Sequence, residues 1–303
     1  MDDRKTIDVA VVRQLIRSQF PAWAGLRIEP VREAGWDHCT FRLGDEMSVR
    51  LPSAARYVAQ VEKEQRFLPL LAPRLPLPVP VPLALGRPSP DYPWPWSVLC
   101  WIDGAAATPE RSGNLEIFAA ELAHFLRALH AIDATNAPAP GAHNFFRGGD
   151  LAVYDQETRA AIHELAAHLD VQQTVALWEL ALASTWHAAP VWIHGDVAPG
   201  NLLVRDGRLC GVIDFGACGA GDPACDLVIA WTLLSGASRA VFCRAMSFDR
   251  ATWQRARGWA LWKALITWAA HPHQPHTADC ARMLIATLLA GGAEDVPQLG
   301  SAR

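Results

Sequence analysis

Residues 194–216 read HGDVAPGNLLVRDGRLCGVIDFG and set two carboxylates, Asp196 and Asp214, and one carboxamide, Asn201, around a short hairpin. Asp206-Gly207, between NLLVR and RLCGVI, is a two-residue turn signal, because a type I′ turn needs positive φ at both central positions. If Arg205 pairs with Arg208, Leu203 opposes Cys210 and Asn201 opposes Val212. The two-residue pleat then puts Asn201 and Asp214 on one face as diagonal neighbours. Carboxylate and carboxamide oxygens are hard ligands that suit Mg²⁺, an ion that keeps several waters and takes its remaining ligands from substrate phosphates. Phosphate chemistry follows. Asp196 lies on the loop before the hairpin, where APG excludes regular structure, and is placed to accept a proton from a nucleophile. A lone Asp or Asn near a turn is ordinarily a turn former. The joint spacing H-x-D-x-x-x-x-N followed by I-D-F-G is not something turn chemistry requires, and it carries the functional reading.

Elements on both sides must hold these residues. Val12, Leu15 and Ile16 recur at helical spacing within residues 6–20, and TFRLGDEMSVRL (40–51) predicts two strands around Gly44-Asp45. A helical stretch runs from about 54 to 71. Prolines at 73, 76, 78, 80, 82, 88, 90, 93 and 95 then exclude helix and leave extended or edge-strand backbone, rather than a polyproline ligand, ahead of the core-like SVLCWI. From residue 114 the pattern is helical: Phe118, Leu122, Phe125 and Leu129 form one stripe, 155–187 continues in that style, and 226–291 is rich in Trp and Leu. The architecture expected is a small strand-rich lobe, 1–103, and a larger helical lobe, 104–303, meeting near Asp103-Gly104. There is no internal repeat.

With 303 residues, 51% of them hydrophobic, and 13 Trp, the chain can bury a substantial core without disulfides or a metal. A net charge of −4 offers nothing to nucleic acid. The seven cysteines are odd in number and never spaced C-x-x-C, which argues for a reducing compartment. The N-terminal MDDRKTIDVAVVRQL carries charges where a signal peptide has its apolar region. GWALWKALITWAA is too short for a membrane span and contains Lys263, so a cytosolic, membrane-free protein is expected.

The stretch 194–216, with GAGDPACDL (219–227), resembles the catalytic and metal loops of the aminoglycoside phosphotransferase family, relatives of protein kinases that phosphorylate hydroxyls of small molecules. The resemblance covers most of residues 30–230, and the last 70 or so share only helical character. It implies an α+β, bilobal, protein-kinase-like fold with an antiparallel-sheet N-lobe and a mainly helical C-lobe. His194-Gly195-Asp196 and Asp214-Phe215-Gly216 stand where kinases carry H-R-D and D-F-G. Asp196 would be the catalytic base, Asn201 and Asp214 the Mg²⁺ ligands, and His194 and Asp226 supports of the loop, His194 as a buried hydrogen-bonded residue rather than an acid or base.

The same resemblance asks the N-lobe for a phosphate-binding cation and a helix carboxylate to orient it. In EMSVRLP, alternation puts Met47, Val49 and Leu51 on one face and Ser48 and Arg50 on the other, so Arg50 stands where the family commonly has Lys. In YVAQVEKEQRFLPLL, Tyr57, Val61, Glu64 and Leu68 share a stripe, which turns Glu64 inward toward a cation and Glu62 elsewhere. EAGWDHCTF (33–41) occupies the phosphate-covering loop, with Gly35 for backbone contacts and Trp36 for packing. SVLCWIDG resembles the strand into the hinge, where backbone groups from Cys100 to Ile102 would meet the nucleobase. Beyond residue 230 there are eight Lys and Arg against four Asp and Glu, which argues against a polycationic acceptor, although the acidic region 105–190 could contribute to binding one. Trp231, Trp253, Trp259, Trp262 and Trp268 are expected to pack helices rather than floor a macrolide site. HPHQPHTADC (271–280) is expected to be a solvated loop and not a metal site, since its prolines deny it a helix. The function expected is Mg²⁺-dependent transfer of the γ-phosphoryl group of ATP or GTP to a hydroxyl of a small molecule, such as an aminoglycoside, a macrolide or another sugar-containing antibiotic in a resistance role. A silent nucleotide-binding module and a protein kinase are the rivals. Oligomeric state is not legible.

Overall fold

The computed structural model describes residues 7–31 and 37–291. Helix α1 (Val9–Gln19) starts at Asp8, whose carboxylate accepts the N–H groups of Ala10 and Val11 at 2.8 and 2.9 Å and so satisfies the open first turn. Its buried stripe, Val12, Leu15 and Ile16, packs with one face of a five-stranded antiparallel sheet. The strands are β1 (Ile28–Pro30), β2 (His38–Leu43), β3 (Met47–Pro52), β4 (Pro82–Gly86) and β5 (Trp96–Cys100), in the order β1-β2-β3-β5-β4. β4 lies at the edge and opens with a proline, where the missing donor costs no ladder bond. Helix α2 (Val58–Leu71) contributes Phe67, Leu68 and Leu71 to the second, larger core rather than to that of the sheet. The small sheet is thereby anchored to the helices that follow.

That second core is built from α3 (Leu115–His130), α4 (Asp155–Glu164), α5 (Val171–Leu182), α6 (Ile229–Thr232), α7 (Gly236–Met246), α8 (Arg250–Ala270) and α9 (Pro275–Ala290). Trp253, Trp259, Trp262 and Trp268 of α8 are buried in it, as packing residues. Two small sheets sit among the helices: β6 (Ala105–Ala106) pairs with β8 (Leu202–Arg205), which pairs with β9 (Arg208–Val212), while β7 (Val191–Ile193) pairs with β10 (Gly219–Gly221). Among the described residues no helix is long and apolar enough to cross a membrane, and all seven cysteines are free.

Two expectations need correction. The hairpin turn has positive φ at Asp206 and Gly207, as a type I′ turn demands, and Arg205 pairs with Arg208. A bulge then shifts the ladder between Val204 and Leu203, so that Leu203 opposes Gly211 and Leu202, not Asn201, opposes Val212. Asn201 instead ends a 3-10 turn, Pro199–Asn201, ahead of the strand. The second concerns HPHQPHTADC. Pro275 is the first residue of α9, a position where its missing N–H has no helical partner to lose, so His276 and Cys280 lie on a helix with sulfur 3.8 Å from Nε2.

Candidate active site

β7 delivers the chain to His194 and then to Gly195, whose φ of +84° no L side chain adopts comfortably. A Cβ at Gly195 would stand 2.4 Å from the carbonyl oxygen of Ala217. The buried carboxylate of Asp226 accepts the N–H groups of His194 and Gly195 at 2.9 and 2.7 Å, one on each oxygen, and His130 Nε2 lies 3.4 Å from it. The His194 ring is fully committed. Its Nδ1 accepts the N–H of Asp196 at 3.2 Å, which leaves Nε2 protonated to donate to the Ile213 carbonyl at 3.0 Å. His194 thus ties the Asp196 turn to the residue before Asp214 and has no nitrogen left for proton transfer.

Asp196 is half-buried, and the Asn201 amide donates to both its carbonyl, at 2.9 Å, and its carboxylate, at 3.0 Å. That pairing leaves the Asn201 carboxamide oxygen as a free acceptor. Asp214 sits at φ +66°, a left-handed conformation that turns its side chain out of the strand direction, and Arg50 donates to it at 2.8 Å. The same guanidinium donates to Glu64 at 2.8 Å and reaches His38 Nδ1 at 3.3 Å. Glu64 is buried, and Glu62 is exposed. Burial would raise the Asp214 carboxyl, but the charge and hydrogen bond of Arg50 outweigh it and hold the group below the ordinary Asp range. Burial also depresses His38, with Arg50 acting in the same direction, to about 3, so this imidazole is neutral.

Arg50, Asn201 and Asp214 line one cavity of about 240 Å³ together with Thr40, Ser48, Cys100, Ile102 and Leu203. The cavity lies between β3, the strand into residue 100 and the 194–216 segment, and its lining combines the polar groups with Leu99, Ile102, Leu203 and Ile213. Cys100 and Trp101 spend their N–H groups on the carbonyls of Val81 and Glu46, each at 2.8 Å. Of the three hinge residues, Ile102 keeps an N–H with no backbone partner among the described residues. Gly35 and Trp36 lie outside the described residues.

The sequence reading missed Asp37 and Gln60. Gln60 donates to the Asp37 carboxylate at 3.0 Å and, four residues before Glu64, shares its inward face, a spacing that could have revealed it. Asp37 stands near both Asp214 and Asp196. Burial first, and then these two charges, lift its carboxyl above the ordinary range. The side of Gly216 closes this corner: a Cβ there would meet Gln60 at 2.8 Å, so the Asp214–Gly216 loop and α2 are in direct contact.

The donor set around the cavity suits a hard cation shared with phosphates better than an all-protein metal site: an anionic carboxylate and a carboxamide oxygen converge on it, and no group of three or more His, Cys, Asp or Glu that could hold a metal occurs among the described residues. A phosphotransferase is the class of protein to which this fold belongs. The model of the APH phosphotransferase enzyme family matches residues 28–289, and the chain belongs to that family. The match extends beyond the residues on which the resemblance rested, through α8 and into α9. Among solved structures, the GDP complex of wild-type aminoglycoside 2′-phosphotransferase-IIIa aligns with a TM-score of 0.71 at 17% identity, covering 93% of this chain and 99% of that one. The streptomycin–ATP–APH(2″)-IIa ternary complex aligns with a TM-score of 0.61 at 19% identity, covering 96% and 98%. Macrolide 2′-phosphotransferase MphH from Brachybacterium faecium, as the apoenzyme, gives 0.60 at 22% identity, covering 91% and 98%. These likenesses establish the kinase-like fold. Comparison with curated proteins gave no match.

Proposed function

We propose that the protein transfers the γ-phosphoryl group of a nucleoside triphosphate, ATP or GTP, to a hydroxyl of a small molecule. The observation that carries this reading is the convergence of Arg50, Asn201 and Asp214 on one cavity, with Asp196 hydrogen-bonded to Asn201 at its edge. Asn201 and Asp214 would hold Mg²⁺, which when bound supplies charge compensation for the nucleotide phosphates. Arg50, fixed by Glu64, would steady those phosphates, and the backbone near Cys100 and Ile102 would meet the base. The acceptor oxygen attacks the γ-phosphorus, its proton passes to the Asp196 carboxylate, and the bond from phosphorus to the β–γ bridging oxygen breaks to release the nucleoside diphosphate. The proton acceptor is oriented by Asn201 and the buried His194–Asp226 scaffold rather than by a second base.

Support for the acceptor class comes from family membership, and the structural likeness to aminoglycoside and macrolide phosphotransferases makes antibiotics the first compounds to try. We divide the lobes at Asp103-Gly104, because Ala105–Ala106 already pair with β8 of the helical part. The free thiols fit a reducing cytosol. An Asp196→Asn variant should keep its affinity for Mg²⁺-nucleotide, read by calorimetry, while phosphate transfer falls by about 10²- to 10⁴-fold. Transfer at the wild-type rate would remove Asp196 from the role of base.

A further inference from the structure

Arg147 and Lys263 are not used by this mechanism. Arg147 is only 8% exposed, yet among the described residues its guanidinium has neither an ion-pair partner nor a hydrogen bond, and its Nε is enclosed without an acceptor. Its neighbours are ring faces: the guanidinium carbon stands 5.1 Å from the centre of the Trp259 ring and 4.7 Å from that of Trp262. Tyr154 stacks on the other part of this cluster, 4.0 Å from Trp262, and the Trp262 indole N–H donates to Glu157. Ring faces attract a cation but complete none of its hydrogen bonds. A guanidinium held over ring faces with its Nε enclosed and no anion beside it lacks the partner that folded proteins otherwise give such groups.

Lys263 adds a second cation at the same place. It follows Trp262 directly and lies one helical turn beyond Trp259, on the α8 face over which Arg147 is held, and its side chain is exposed. Its ammonium group feels the like charge of Arg147 and the opposite charges of Asp196 and Asp37. Arg147 on its aromatic floor therefore neighbours a lysine that lies within electrostatic reach of the carboxylate assigned to the acceptor's proton. A polycationic acceptor would meet like charge there, whereas an anionic group would supply the partner that Arg147 lacks.

We propose that Arg147 and Lys263 form an anion-recognition site for the acceptor of the Asp196 proton step, so that the molecule phosphorylated is a hydroxyl compound carrying a carboxylate or phosphate group. This rests on the phosphotransferase reading above and names its acceptor class. The two cations act by binding and orienting the acceptor, and Asp196 still takes the proton.

The test uses the full-length protein and four matched probes: gluconate, glucose 1-phosphate, glucose and glucosamine. Binding is read by tryptophan fluorescence in protein saturated with Mg²⁺-ADP, and phosphate transfer is read separately with Mg²⁺-ATP and Mg²⁺-GTP. The expected result is at least tenfold tighter binding of gluconate or glucose 1-phosphate than of glucose and glucosamine, and which of the two leads tells carboxylate from phosphate. Lys263→Met should raise KM for the preferred anion about tenfold with little change in kcat, and Lys263→Glu should reverse the order in favour of glucosamine. Arg147→Met should abolish anion binding. Because Arg147 is buried, the exposed Lys263 pair keeps the test valid should that variant misfold. Equal binding of all four probes, preference for glucosamine, or an anion preference untouched by both Lys263 variants overturns the site. Anion binding that depends on Lys263, with no transfer to any probe or to antibiotics, would leave the site standing and remove the phosphotransferase reading instead.

Discussion

Arg50 concentrates the electrostatics of the cleft at the scale of single residues. Its two 2.8 Å bonds reach Glu64 and Asp214 with separate arms of one guanidinium, a geometry a lysine ammonium could not reproduce with fixed planarity. Burial, with the same charge facing it, keeps His38 neutral far into acid. A histidine with its folded pKa lowered from 6.5 to about 3 takes up a proton more readily in the unfolded chain, so its contribution favours folding above pH 6.5 and is withdrawn as pH falls toward 3. Between pH 7 and pH 5 this single group should cost ~2 kcal/mol of stability, and a His38→Gln variant should lose correspondingly less across that interval in urea melts. Parallel pH profiles for the two proteins would show that His38 is not neutral and enclosed as described. Asp196 and Asn201 are singled out by their spacing alone, and the structure brings them into hydrogen-bond contact. Asp37 was not, because nothing local marks one aspartate in a loop as facing two others from distant parts of the chain.

At the scale of elements, the loop before the hairpin is held by backbone geometry as much as by side chains. Gly195 has positive φ and the Ala217 carbonyl against its α-carbon, whereas Gly200, five residues on, has open space and no such conformation. Gly195→Ala should therefore destabilise the protein by about 2–4 kcal/mol, from the strained φ and the displaced contact together, and Gly200→Ala should stay within about 0.5 kcal/mol of wild type in thermal or urea unfolding. Similar values for both would contradict the local structure. The hairpin itself was readable from Asp206-Gly207, and its first pair was predicted correctly. The bulge at Leu203 and Val204 left no mark in the sequence, since it arises from fitting the strand between β6 and β9 while Asn201 stays in the preceding turn. Asn201 and Asp214 still reach one cavity, through a 3-10 turn and a left-handed residue rather than through the pleat.

The whole molecule supplies one cleft from two cores. Thr40, Ser48 and Arg50 come from strands of the α1-backed sheet, and Asn201, Leu203 and Asp214 come from the hairpin set in the helical core. A ligand bound there binds the folded state alone, so Mg²⁺-nucleotide at a hundred times its Kd should add about 2.7 kcal/mol and raise Tm by about 5 °C. Removal of Mg²⁺ with EDTA at constant nucleotide should return most of that shift. A Tm indifferent to nucleotide, with or without Mg²⁺, would count against the cleft as the donor site.

By itself the sequence determined what depends on neighbours along the chain: α1 and the hairpin at Gly44, the helical stripe that turns Glu64 inward, the type I′ turn, and the H-x-D, N and D-F-G spacing that gave the family. These are set by backbone torsion preferences and short-range periodicity. Tertiary structure alone decided that Arg50 bridges Glu64 and Asp214, that Asp37 joins the carboxylates, and that Arg147 is enclosed against Trp259 and Trp262 without an anion. Those outcomes depend on desolvation and charge proximity between segments tens to hundreds of residues apart, quantities that no local pattern encodes.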